Sequence, residues 1–145
     1  MSKFRKEFEL IHKIRSIRAD RAERNMAIAE GQRMQAVIAH NDATALKDEA
    51  KQRVRDIDSG RFAAHNSQIS GKELKDGAMA AREAKARLQD AASDVIVKNE
   101  QREQATWNAT VWKEIYKASQ KKVIKTEAIL EQLADEPATE KDARV

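Results

Sequence analysis

One stretch of this chain, Asp58 to Leu74 (DSGRFAAHNSQISGKEL), stops one helical pattern and starts another. Gly60 stands where a helix C-terminus takes a left-handed residue. Ser70, Gly71, Lys72 and Glu73 then spell a capping box, in which the Ser70 hydroxyl accepts from the Glu73 amide and the Glu73 carboxylate reaches back to the Ser70 amide. Ile69 and Leu74 occupy the two positions of a hydrophobic staple. The expectation is an all-α chain, two long helices forming an antiparallel coiled-coil hairpin: a helix over about 3–58, a connector over 59–69 and a helix over 70–135. Pro137 ends the second helix, and the tail 137–145 has no reason to order.

Composition narrows what such a hairpin can do. A chain of 145 residues is one domain by length, and it is 41% apolar and 36% charged but only 4% aromatic, with alanine supplying much of the apolar share. That favours a thin, elongated packing of helices and leaves little with which to line an active-site cavity. The absence of cysteine excludes a disulfide framework and thiolate metal sites. No apolar run approaches the roughly 20 residues that span a bilayer. The opening MSKFRKEFEL carries charges where a signal peptide needs its apolar core. These features predict a cytoplasmic protein without membrane insertion.

The main apolar stripe of the first helix can be drawn through Phe4, Phe8, Ile11, Ile14, Ile17, Ala22, Met26, Ala29, Met34, Val37, Ile38, Leu46, Ala50, Val54 and Ile57. Its steps are mostly three and four, close to a coiled-coil period without a strict register. Gly31 and Asn41-Asp42 are the weak places. On the second helix the stripe is Leu74, Ala78, Ala81, Leu88, Ala92 and Val95, then a polar interval from Lys98 to Gln104, then Trp107, Val111, Trp112, Ile115, Tyr116, Val123, Ile129, Leu130 and Leu133. A turn near residue 65 pairs position i with roughly 130 minus i. It sets Phe8, Ile11, Ile14 and Ile17 against Trp112, Ile115, Tyr116 and Val123, and it sets Gly31 and its alanines against the polar interval, a loosely held middle. A rival architecture breaks the chain at Asn41 and near Ala105 and collapses it into three or four helices.

No catalytic constellation is visible. His12, His40 and His65 lie too far apart for a local metal motif and read as surface residues, and Gly60, Gly71 and Gly77 suit caps and turns better than a phosphate cradle. The chain is therefore expected to be nonenzymatic, with no cofactor, no metal and no small-molecule substrate. Trp107, Trp112 and Tyr116 read as core rather than as stacking platforms, with a place off the stripe and partial exposure left open for Trp107.

The formal net charge is +4, and Lys13, Arg15, Arg18, Arg21 and Arg24 form the clearest charge signal. Steps of three walk the arginines around the helix by about 60° each. In a hairpin Lys113, Lys117, Lys121, Lys122 and Lys125 come alongside, which makes the end holding both termini basic on several sides. Solvated charges balanced by Asp20 and Glu23 account for part of this. A partner with an acidic ring or groove fits the remainder. Nucleic acid fits less well, because so much acid is interleaved.

The segment LIHKIRSIRADRAERNMAIAEGQ resembles the opening of the YscO/FliJ-like type III secretion stalk family, matched at Ile17-Arg18 and at Arg21-Ala22-Glu23. The C-terminal KASQKKVIKTEAILEQL is similar to that family's lysine-rich last helix. The resemblance implies an antiparallel coiled coil in the cytoplasm, peripheral at the inner membrane with the secretion apparatus. Its end with both termini engages the secretion ATPase ring, and other parts touch the export gate and secretion chaperones. Arg18, Arg21 and Glu23 carry over by position. Hairpin geometry and charge extend the ATPase contact to Arg15, Arg24, Lys121, Lys122 and Lys125. Met34 and Ile38 are candidates for a gate or chaperone contact, although core packing suits them better. Two other classes remain open, a basic helical nucleic-acid-binding protein and a self-assembling coiled-coil scaffold or chaperone.

Overall fold

The computed structural model describes residues 3–65 and 70–135, and two helices account for nearly all of them: α1, Lys3–His65, and α2, Gly71–Asp135. The chain is all-α, and the helices fold back on one another as a hairpin. α1 runs unbroken through Gly31, Asn41 and Asp42, and α2 through Ala105, so the rival bundle does not form. Neither helix contains proline, and the glycines and asparagines inside them cost only up to about 1 kcal/mol each.

Gly60 does not end α1. No glycine among the described residues has a positive φ, and the helix continues through Arg61 and Phe62 to His65, seven residues beyond its expected end at 58. Arginine and alanine after Gly60 are good helix formers, and they carry the pattern past it. At the start of α2 the Glu73 amide donates to Ser70 Oγ at 3.2 Å, which is one half of the expected capping box. The staple residue Ile69 and the tail 137–145 lie outside the described residues.

Gly31 is exposed inside α1, and a Cβ added there meets nothing within 4 Å. Gly31→Ala is therefore expected to stabilise the chain by about 0.5–1 kcal/mol through helix propensity alone. A urea midpoint that fails to rise would contradict it.

The hairpin comprises two compact units, each built from both helices: unit 1 is Met1–Gly31 with Thr106–Val145, and unit 2 is Gln32–Ala105. In unit 1 the inward side chains of α1 are Phe8, His12, Arg15, Ala19, Ala22, Met26 and Ala29, and those of α2 are Ala109, Trp112, Tyr116, Ser119, Val123, Thr126, Leu130 and Leu133. Steps of four and three alternate without exception, so the register is a strict heptad. Ala22, Ala29, Ala109 and Thr126 are buried. The Thr126 hydroxyl shares its proton between the Lys122 and Val123 carbonyls, and its Oγ1 is hydrogen-bonded with His12 Nδ1 at 3.2 Å. Two facing residues whose numbers sum to 138 thus define the pairing, and the same relation puts Met26 opposite Trp112 and Ala22 opposite Tyr116.

Unit 2 has the same alternation. Its inward residues are Arg33, Ala36, His40, Ala43, Lys47, Ala50, Val54 and Ile57 on α1, and Ala81, Ala84, Leu88, Ala91, Val95, Lys98, Arg102 and Ala105 on α2. A Cβ at Gly77 would meet the Arg61 side chain at 3.9 Å, again a pair summing to 138. Arg102 Nη2 donates to Asn99 Oδ1 at 2.8 Å.

Three expectations are corrected here. The turn lies about four residues later than expected, so Trp112 faces Met26 rather than the Ile14–Ile17 segment, and the polar interval faces about 34–40 rather than Gly31. Ile11, Ile14, Ile17, Met34, Ile38 and Leu46 are exposed, not core. Two histidines are not surface residues, because His12 and His40 are half-buried at inward positions. Close approach of two helices selects small side chains for the seam, and these large ones are left outside it.

Candidate functional site

Unit 1 gathers the cations that the sequence singled out. Arg15 is at an inward position and half-buried, and its Nη1 donates to the Lys122 carbonyl at 3.1 Å, joining residues 107 apart in sequence. Arg18 and Lys122 are the next side chains out on the same flank. With Arg15 and Ser119 they line a cleft of about 150 Å³. Its chemistry is that of an anion receptor: two guanidinium groups, one ammonium, one hydroxyl and no carboxylate.

Heptad geometry assigns the remaining candidates. From Arg15, successive steps of three carry Arg18 to the edge of the seam, Arg21 further round and Arg24 to the back of α1. The arginines thus fan over one flank rather than encircling the helix. Arg24 Nε donates to the Asp20 carbonyl at 3.4 Å. On α2, Lys122 and Lys125 fall on the flank of Arg18 and Arg21, while Lys121 is at the back. Glu23 lies on the opposite flank, away from the cleft.

That opposite flank differs in charge. Lys113 Nζ pairs with Glu30 there at 3.6 Å, and Lys117 pairs with Glu114 at 3.6 Å. A second cleft of about 230 Å³ has Asp20, Tyr116, Gln120 and Glu127 among its lining residues. The end is therefore not basic on several sides; the hairpin sorts interleaved charges into a cationic and a mixed, acid-bearing flank. By contrast, Arg18, Arg21, Lys122 and Lys125 hold no ion pair among the described residues.

Met34 and Ile38, at 55% and 58% exposure, point outward from unit 2, which makes them surface rather than packing residues. Trp112 and Tyr116 are half-buried as expected, and Trp107 is 70% exposed. Ser119, Ile11, Ile14 and Ile115 belong to the cationic flank or its edges; the sequence reading passes over Ser119 and assigns the three isoleucines to the core. The signal that finds them is the run Ile11, Ile14, Arg18, Arg21, whose steps of three, four and three repeat the seam's spacing one position round. No helix among the described residues is long and apolar enough to cross a membrane. Comparison with protein-family models, with curated proteins and with solved structures finds no match to this chain.

Proposed function

We propose that the chain is a nonenzymatic docking hairpin, the cytoplasmic stalk of a type III secretion system, which engages the secretion ATPase ring through unit 1. The observation that carries this reading is the convergence of Arg15, Arg18 and Lys122 on one cleft. Complementary charge orients a docking partner and raises its rate of encounter. Exposed Met34 and Ile38 are the surface for an export gate component or a chaperone. A shaft works by binding some ring states better than others, which is differential affinity and needs no chemistry of its own. The resemblance at Ile17-Arg18 and Arg21-Ala22-Glu23 supplies the choice of an ATPase as partner.

The test is stimulation of the secretion ATPase by the full chain. Arg18→Glu with Arg21→Glu is expected to lower stimulation several-fold while leaving the circular-dichroism helicity unchanged, because both side chains are exposed. Full stimulation by the double variant rejects the assignment.

A further inference from the structure

The cationic flank of unit 1 also carries an apolar pattern. Between residues 11 and 28 its α1 positions are Ile11, Ile14, Arg18, Arg21, Asn25 and Ile28. The α2 positions that face them run from Ile129 through Lys125, Lys122, Ala118 and Ile115 to Val111. The pairing register therefore stacks this flank in levels. Ile11 lies with Ile129 at one end, Ile28 with Val111 at the other, and Arg18, Arg21, Lys122 and Lys125 between them. No acid occupies any of these positions. Ile11 is 38% exposed and Ile28 59%, so both apolar ends are open on α1, and Ile14 and Ile115 are exposed one level further in.

We propose that this flank binds an amphipathic helix of a partner protein, laid along both helices as a third strand of the coil, with carboxylates over its middle and aliphatic residues at both ends. The span from Ile11 to Ile28 is about 26 Å at 1.5 Å per residue, which sets the occupant at about 18 residues. Two or more Asp or Glu side chains one turn apart meet the four cations, and Leu or Ile roughly seven residues to either side meets the isoleucines. A membrane-inserting face has the reverse layout, with its apolar residues central and its cations at the rim. Nucleic acid takes phosphate contacts and aromatic stacking, neither of which uses isoleucines at both ends. The inference concerns this flank alone and does not depend on the partner being an ATPase.

The experiment is a selection of displayed amphipathic helices, randomised at charged and apolar positions, against the full chain. Enrichment of sequences with central Asp or Glu and aliphatic ends is expected. Against the chain carrying Arg18→Glu and Lys122→Glu, those sequences lose roughly tenfold or more in affinity, about 1.4 kcal/mol per tenfold. Ile14→Ser with Ile28→Ser weakens them without changing the charge preference. Enrichment with no charge preference, or affinity unchanged by the reversal, overturns the proposal. So does an empty selection accompanied by tight binding to phosphatidylserine vesicles or to duplex DNA, or self-association of the chain that the same reversal abolishes. Loss of ATPase stimulation with intact peptide selection would remove the stalk reading and leave this one standing.

Discussion

A chain carrying Ala109→Leu is expected to be less stable than the parent by about 1–3 kcal/mol, whereas Ile28→Ser changes stability by no more than about 0.5 kcal/mol. The expectation inverts ordinary hydrophobic ranking. Ala109 is 1% exposed and faces Ala29, which is 2% exposed, so the two helices meet methyl against methyl at that level. Side chains this small let helix axes approach toward the low end of the usual 8–10 Å range. Leucine adds three carbons where no space exists, and relief requires the helices to separate and unpack Met26 and Trp112 one level away. Ile28 is 59% exposed on the docking flank and loses little on becoming serine. Urea unfolding of the two variants decides it. A destabilised Ile28→Ser beside a tolerated Ala109→Leu would mean that the seam runs through the isoleucines.

That contrast explains which parts of the structure were legible beforehand. Two long helices followed from the lack of internal proline and from the Ser70–Glu73 cap, both of which act locally. The single interruption between them implied a hairpin. The seam did not follow, because area-based hydrophobicity puts large side chains inside, and it drew the stripe through Ile11, Ile14, Ile17, Met34, Ile38 and Leu46. A two-helix assembly has one narrow interior, and the alanine-rich alternation Ala22, Ala29, Ala36, Ala43, Ala50 fills it more closely. The periodicity of the small residues was the better guide.

The cationic site was half legible for a related reason. Arg15, Arg18 and Lys122 could be assigned to one end of a hairpin from chain order alone. Their separation from Glu23, Glu30 and Lys113 depends on which side of each seam a residue falls, and that requires the register. A pairing number of about 130 instead of 138 slides one helix past the other by more than a heptad. Composition cannot correct such an error, since acids and bases alternate along either helix while segregating across the pair.

In unit 2, replacing His40 and Lys98 together by leucine is expected to stabilise the chain by about 1.5–3 kcal/mol. The register puts these two half-buried inward residues opposite one another, with Lys47 and Arg102 among the other half-buried inward positions of the same unit. Basic side chains there lose part of their hydration, and the inward residues that flank His40 on α1, Ala36 and Ala43, bring Lys98 no side-chain acceptor. Leucine is near enough to both in volume to occupy the positions without the overpacking expected at Ala109, and each half-buried copy gains part of the roughly 1.5–3 kcal/mol of a fully buried one. Amide exchange tests the location of the gain. If the polar interval 98–104 is where unit 2 opens most readily, its amides slow in the double variant by the same free energy that urea unfolding reports. A destabilised double variant would instead mean that His40 and Lys98 hold the helices together, and the polar interval would have to be counted as adhesive rather than as the point of opening.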